Sequence, residues 1–158
     1  MSTTILRRIC VATNFNPESD AAVATASSLA RTYEAHIDLV TVVEPPPLYA
    51  KVLSPIQSRI TDIDAVVERV RQRLVEVGQQ PPLEHLPVVA QVRIGSPFAE
   101  IIAHARERHD ELVVVGAKSR TGLEGFLLGH TAERVLRKSP VPVLVAKKPL
   151  RATPTVIV

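Results

Sequence analysis

The chain has 158 residues, of which 46% are hydrophobic and 22% are charged, and its formal net charge is +3. These values are typical of one globular domain, and no apolar run approaches the length that spans a bilayer. The single cysteine, Cys10, excludes an internal disulfide and a cysteine cluster for zinc, and it fits a core residue of a protein in the reducing cytoplasm. The five aromatic residues are scattered and form no stacking platform for bases, so neither nucleic acid nor a membrane is an expected partner.

Short apolar runs rich in Val and Ile alternate along the chain with helical patterns. This alternation is typical of an α/β domain whose parallel sheet is covered by helices on both faces. The predicted strands are Ile5–Thr13, His36–Val43, Pro87–Ile94, Leu112–Val115 and Val141–Val145.

Four helices are predicted between these strands. The first starts at Asn16-Pro17, where an N-cap residue precedes a proline, and runs to about Glu34. Its predicted inner face comprises Ala22, Ala26, Leu29, Ala30 and Tyr33. Residues 44–60 are predicted to be an irregular surface connection.

The second helix is predicted from about Thr61 to Val77, with Gly78 as its stop. Its amphipathic stripe comprises Ile63, Val66, Val67, Val70, Leu74 and Val77. The third helix is predicted to open at Ser96-Pro97 with Ser96 as N-cap and to end near His109; the fourth should start near Gly129 and end at Ser139-Pro140.

The loop from Gly116 to His130 is the strongest candidate for a binding site. It follows a buried strand, contains Lys118 and Arg120, and leads into the start of a helix. Glycines let a backbone approach a ligand closely, and the free N–H groups of a first helical turn favour an anion. A simpler interpretation stays open, in which Lys118 and Arg120 are solvated cations and His130 only bonds to the helix start.

Motifs for catalysis or for a metal are missing from the sequence. There is no G-x-S-x-G elbow, no H-E-x-x-H, no C-x-x-C and no P-loop. The acidic residues Glu18, Asp20 and Asp38 do not suggest a paired-carboxylate site. The histidines outside the loop have no metal-ligand spacing, so no metal site is expected from His36, His85, His104 and His109.

The chain resembles the universal stress protein family over nearly its whole length. The resemblance rests on the strand–helix alternation, on Gly95-Ser96-Pro97 as the family's Gly-x-Pro after strand three, and on the last loop. Nucleotide-binding members carry G-x2-G-x9-G followed by Ser or Thr, and an aspartate after strand one. Gly116 and Gly129 match the first and third glycines, whereas the second glycine, the hydroxyl residue and the aspartate are replaced by Ser119, His130 and Asn14.

The resemblance implies a single-domain, open five-stranded parallel sheet with strand order 3-2-1-4-5, of the adenine nucleotide alpha hydrolase-like type. The domain would cover residues 1–148, with residues 149–158 as a tail that is either disordered or packed on a neighbour. It further implies a homodimer that pairs through the last strand, Val141 to Val145, whose exposed edge would otherwise be a liability.

Two functions stay open at this point. In the first, the chain is a stress-response signalling module that binds ATP, with Mg²⁺ when ATP is bound, weakly through a modified phosphate loop. The implied site comprises Ala12, Thr13, Asn14, Val40, Gly116, Lys118, Ser119, Arg120, Gly129, His130 and Thr131. In the second, the chain binds no nucleotide and is a dimeric interaction module. Slow ATP hydrolysis or another small anionic ligand is a minor third alternative, and no catalytic residue is assigned.

Overall fold

The protein is described by a computed structural model over residues 6–47, 63–118 and 128–148. Its sheet has five parallel strands in the order β3-β2-β1-β4-β5, which confirms the predicted order. The strands are β1 (Arg8–Ala12), β2 (His36–Val43), β3 (Val88–Ile94), β4 (Leu112–Gly116) and β5 (Val143–Ala146). The order reverses between β1 and β4, so the loops that follow these two strands diverge and leave a crevice.

Four helices connect the strands in the described part of the chain. They are α1 (Pro17–Tyr33), α2 (Ile63–Gln79), α3 (Pro97–Arg108) and α4 (His130–Lys138). Every predicted helix is therefore present, with ends that differ by a few residues from those expected.

The core has two layers, one on each face of the sheet. On one face α1 and α2 cover the alternate strand residues Ile9, Val11, Ile37 and Leu39. On the other face α3 and α4 cover a second cluster that includes Cys10, Val40, Val113 and Val115. Successive side chains of a strand point to opposite faces, and this alternation places Cys10 on the α3 side. Cys10 is buried, as expected.

Small residues let α1 pack closely on the sheet. Ala22, Ala26 and Ala30 are wholly buried, whereas Tyr33, which the sequence placed on the same face, is 48% exposed. The predicted N-cap of α1 is confirmed, because the side chain of Asn16 accepts a hydrogen bond from the N–H of Ser19 at 2.9 Å.

One predicted helix end differs from the structure, and one correctly predicted N-cap position lacks its side-chain hydrogen bond. Gly78 does not end α2, which continues to Gln79. A Cβ at position 78 would lie 3.3 Å from Cγ1 of Val88, so this glycine lets the helix approach β3 closely. Ser96 occupies the N-cap position of α3, but its side chain makes no capping hydrogen bond.

Some predictions fall outside the described residues. They concern Ser119 and Arg120, the tail 149–158, the start of the second helix at Thr61, and most of the connection 44–60. Among the described helices, none combines the length and the apolar character that crossing a membrane requires.

Candidate functional site

A cleft of about 510 Å³ opens at the carboxyl ends of β1, β2 and β4, where the strand order reverses. Two of the eleven residues that the sequence assigned to a site, Ser119 and Arg120, lie outside the described residues. The other nine all line this cleft, namely Ala12, Thr13, Asn14, Val40, Gly116, Lys118, Gly129, His130 and Thr131. The fold therefore brings together residues that are up to 119 positions apart in the chain.

Sequence reasoning missed the other side of the cleft. Val42, Pro97 and Ile101 extend the apolar wall that begins at Val40, and Glu18 and Glu44 add two carboxylates to the lining. The apolar residues come from strand β2 and from the start of α3, and their convergence depends on how α3 crosses the sheet. A buried strand ending followed by Gly-x-Pro was the one signal that could have pointed to them.

The loop between β1 and α1 is held by its own polar groups. The Thr13 hydroxyl lies 3.0 Å from the Ser19 hydroxyl, and it accepts a hydrogen bond from the N–H of Phe15 at 3.1 Å. The exposed side chain of Asn14 accepts a hydrogen bond from the N–H of Asn16 through Oδ1 at 3.3 Å. A ligand hydroxyl that donates to Asn14 would therefore compete with a local turn.

Gly116 ends β4 against the first turn of α1. A Cβ built on Gly116 would lie 2.3 Å from the carbonyl oxygen of Glu18 and 3.0 Å from the N–H nitrogen of Ser19. These neighbours are backbone atoms, which cannot move aside as a side chain does. The fold itself therefore requires glycine at this position, whether or not a ligand binds.

Gly129 is in a different situation. It is the N-cap residue of α4 with φ −63° and ψ 155°, a conformation open to any residue. A Cβ there would make only an ordinary contact, 3.5 Å from Cβ of Lys118. The helix that follows points its first turn into the cleft, where unpaired N–H groups favour an anion.

His130, the first residue of α4, faces its own helix. Its Nε2 lies 3.4 Å from Nη1 of Arg134, one turn along. A guanidinium nitrogen only donates, so Nε2 accepts in this arrangement and carries no proton. The Arg134 guanidinium is also stacked 3.7 Å from the ring centre of Phe98, which joins α4 to α3.

A second group of polar residues lies on the α3 face of the sheet, below the cleft. We call Arg8, Asp38, His104, Arg108 and Asp110 the buried network. Arg8 donates from Nη2 to the two carboxylate oxygens of Asp38 at 2.8 and 2.7 Å. His104 Nε2 and Arg108 Nε approach Oδ2 of Asp38 at 3.2 and 3.1 Å. Asp38 is thus a fully buried carboxylate with three donors around it.

The two carboxylates of the buried network are in opposite electrostatic states. Burial would raise the pKa of Asp38, but hydrogen bonds from His104, Arg8 and Arg108 outweigh it and hold that pKa well below its usual range. Burial raises the pKa of Asp110 to about 6, and the nearby charge of Asp38 adds to the shift. Burial also raises the pKa of the Cys10 thiol well above its usual value, and the negative charges of Asp110 and Asp38 raise it further, to a smaller extent.

Little in the sequence points to this network. Asp38 was considered only with Glu18 and Asp20, neither of which belongs to the network. The available signal was a charged residue in the middle of an apolar strand, because a buried aspartate requires partners.

Comparison with known proteins agrees with the fold. The model of the universal stress protein family matches residues 6–147. Universal stress protein MJ0531 of Methanocaldococcus jannaschii is 28% identical over 145 residues, covering 92% of this chain and 84% of that protein. Stress response protein NhaX of Bacillus subtilis is 27% identical over 161 residues, covering 89% and 97% of the two chains.

Solved structures of lower sequence identity share the same fold. The structure of MJ0577, also of M. jannaschii, has a TM-score of 0.73 at 19% identity and covers 92% of this chain and 98% of its own. UspA from Lactobacillus plantarum has a TM-score of 0.67 at 22% identity, covering 89% and 97%. A universal stress protein solved in complex with cAMP has a TM-score of 0.54 at 22% identity, covering 89% and 95%.

The family model spans nearly all of the described residues, and the strand order agrees with the fold of the structural neighbours. This chain belongs to the universal stress protein family.

Proposed function

We propose that this chain binds an adenine nucleotide in the cleft and acts as a stress-response signalling module in the cytoplasm, by binding rather than by turnover. The observation that carries the proposal is the composition of the cleft. An apolar wall and the open N-terminus of a helix face one space of about 510 Å³. Most small-molecule sites have this combination of apolar walls and a few convergent polar groups.

The parts of a nucleotide would find matching surroundings. Val40, Val42, Pro97 and Ile101 offer a flat apolar wall for a base. The β1–α1 loop offers the polar groups of Thr13 and Asn14 to a ribose. The first turn of α4 offers N–H groups to a phosphate.

We further propose that binding is weaker than in family members with the full motif. Asn14 cannot supply the charge of an aspartate to a metal ion, and its carbonyl oxygen is already engaged by the N–H of Asn16. Among the described lining residues, Glu18 and Glu44 add negative charge that opposes a polyphosphate, while the Lys118 side chain begins beside Gly129, the N-cap residue of α4. One structural neighbour was solved in complex with cAMP, which supports a ligand of lower charge than ATP.

The experiment has two stages. Protein denatured directly after purification is analysed by mass spectrometry for released nucleotide. Titration calorimetry then compares ATP, AMP and cAMP, each with and without Mg²⁺. Heat from at least one nucleotide supports the proposal, and the absence of heat at millimolar concentrations of all three would contradict it.

One observation favours the second function, an interaction module. Strand β5 is an edge of the sheet, and Leu136 beside it on α4 is 48% exposed. Val143, Leu144 and Val145 are only half-buried in the isolated chain. We propose that this edge pairs with a second copy of the chain. Because the edge and the cleft are different parts of the molecule, dimerisation and nucleotide binding are measured separately.

A further inference from the structure

Three buried side chains on the α3 face of the sheet carry ligand atoms for a metal ion. Cys10 lies on β1, His104 on α3, and Asp110 on the segment that enters β4. The Cys10 sulfur, a His104 ring nitrogen and an Asp110 carboxylate oxygen all lie within 4.8 Å of one another. We propose that these three residues bind one thiophilic metal ion, for which Zn²⁺ is the best match.

The geometry requires only small movements. Zinc bonds of about 2.0–2.3 Å in tetrahedral angles place neighbouring ligand atoms roughly 3.5 Å apart. His104 Nε2 and Asp110 Oδ2 already lie 3.7 Å apart. Thiolate, imidazole and carboxylate are also the three donor types that zinc takes in proteins.

Asp110 supplies an independent sign that a cation belongs here. Its side chain is fully buried, and neither carboxylate oxygen receives a hydrogen bond. The nearest positive groups, Arg8 Nε at 3.6 Å and His104 Nε2 at 3.7 Å, are beyond hydrogen-bonding distance. A buried carboxylate that lacks donors is costly, and a bound cation would satisfy it.

The arginines do not occupy the site. Arg8 Nη2 and Arg108 Nε donate to Asp38, whereas Arg8 Nε has no hydrogen-bond partner and lies 3.6 Å from Asp110 Oδ1, an ion pair without a hydrogen bond. An ion at Nε2 of His104 takes the place of the proton shared with Asp38, that proton moves to Nδ1 as the imidazole changes tautomer, and Asp38 keeps both arginines. As the metal–sulfur bond forms, the S–H bond breaks and its proton passes to solvent, with no change of oxidation state.

Charge distinguishes two members of the thiophilic class. Before a metal binds, the charges of Arg8 and Arg108 balance those of Asp38 and ionised Asp110. Cu⁺ in place of the thiol proton keeps that balance, whereas Zn²⁺ leaves one extra positive charge. Because the Arg108 side chain is 42% exposed, solvent screens part of this excess. Both ions therefore belong in the test.

The probe for the divalent ion is Co²⁺, which reports a bound thiolate by a charge-transfer band. The full chain is reduced, stripped with a chelator and titrated with Co²⁺ without oxygen. We expect a saturating band at one equivalent that Zn²⁺ abolishes. Cys10→Ala should remove the band, and Asp110→Asn, which keeps the shape of the side chain, should weaken binding at least tenfold.

The matched control is His109→Ala, because His109 is exposed and lies one residue from Asp110. Its band should equal that of the wild type, and circular dichroism verifies the fold of each variant. A Cu⁺ arm uses competition with a chromogenic Cu⁺ chelator, and tighter retention of Cu⁺ than of Zn²⁺ would assign the site to copper. A wild-type protein that shows no thiolate band with Co²⁺ and no retention of Cu⁺ would overturn the proposal, as would equal binding by Cys10→Ala.

Discussion

Asp38 and Asp110 lie on either side of one imidazole nitrogen, with their Oδ2 atoms 3.2 and 3.7 Å from Nε2 of His104. One carboxylate is surrounded by donors and the other has none within hydrogen-bonding distance. This asymmetry means that the same substitution should have opposite consequences at the two positions.

Asp38→Asn should destabilise the protein strongly at pH 7. It leaves Arg8 and Arg108 without their carboxylate; because these side chains are 28% and 42% exposed, solvent offsets part of the loss, and we expect a cost of about 1.5–3 kcal/mol. Asp110→Asn, studied without metal, should not destabilise and should raise the midpoint of thermal unfolding. The pKa of Asp110 is about 6, above its ordinary value of 3.8, so at pH 7 the folded state holds an ionised form that burial disfavours. Thermal unfolding followed by circular dichroism measures both, and a stability loss in Asp110→Asn equal to that in Asp38→Asn would contradict the asymmetry.

The two glycines retained from the nucleotide motif should also behave differently. Gly116→Ala would force a methyl group to 2.3 Å from the Glu18 carbonyl oxygen, so we expect poor stability. Gly129→Ala adds a methyl group that makes only an ordinary contact with Cβ of Lys118, so stability should fall far less, while nucleotide affinity falls because the methyl group crowds a phosphate at the helix start. Calorimetry and thermal unfolding separate the two effects. The control is Glu133→Gln on the same helix outside the cleft, and unchanged affinity in Gly129→Ala would argue against a ligand at the start of α4.

Restoring the nucleotide motif should tighten ATP binding. Three departures that each cost roughly 1 kcal/mol sum to about 3 kcal/mol, or around a hundredfold in affinity, if they act independently. We therefore expect the triple variant Asn14→Asp, Ser119→Gly and His130→Ser to bind ATP more tightly and to depend on Mg²⁺ through the new carboxylate. Calorimetry with and without Mg²⁺ measures this. Weaker binding after His130→Ser alone would mean instead that the imidazole contacts the ligand.

Proline substitutions in β5 can test the dimer without unfolding the chain, if they are placed correctly. The carbonyl oxygens of Pro142 and Ala146 accept hydrogen bonds from β4 at 3.0 and 2.9 Å. Since the backbone groups of a strand alternate between its two sides, the N–H of Leu144 also faces β4, and that of Val145 faces the open edge. Val145→Pro should dissociate a dimer that uses this edge and spare the fold, whereas Leu144→Pro should damage the sheet. Light scattering measures the oligomeric state of both variants and of the wild type. A wild-type monomer at micromolar concentration would rule the dimer out.

Helix α2 gives a prediction about packing. The predicted stripe is present, but within the described residues of α2 only Leu74 is fully buried, and Val70 is half-buried. Leu74→Ala should cost about 2–5 kcal/mol because it leaves a cavity. Val70→Asp should cost less than a charge placed in a closed core, because solvent reaches this position. Denaturant unfolding measures the free energy of unfolding of both variants. A larger loss in Val70→Asp than in Leu74→Ala would mean that Val70 is covered in the folded protein.

The fold was predictable because the sheet is buried on both faces. Its strands are therefore apolar runs, and β2 was placed at the residues that the structure shows, His36–Val43. Errors concentrated where a residue has two physical uses. Gly78 suggested a helix stop, yet its missing side chain allows close contact with Val88.

The cleft and the buried network differ in how well they could be predicted from the sequence. The cleft residues lie at or near strand ends, which parallel strands gather at one edge, and the resemblance to the family implied nine of its lining residues in advance. Asp38 and Asp110 are 72 positions apart and meet only because of strand register and the path of α3. No spacing along the chain encodes that meeting.

The strand register also places the buried network next to the cleft. Cys10 and Asp38 are adjacent on β1 and β2, and two residues further along the same strands Ala12 and Val40 line the cleft, about 7 Å away at 3.3 Å per residue. The His104 ring therefore lies one side-chain layer below the floor of the cleft. The NMR resonances of the His104 ring should shift when a ligand binds against Val40. They would therefore report occupancy of the cleft without an added probe.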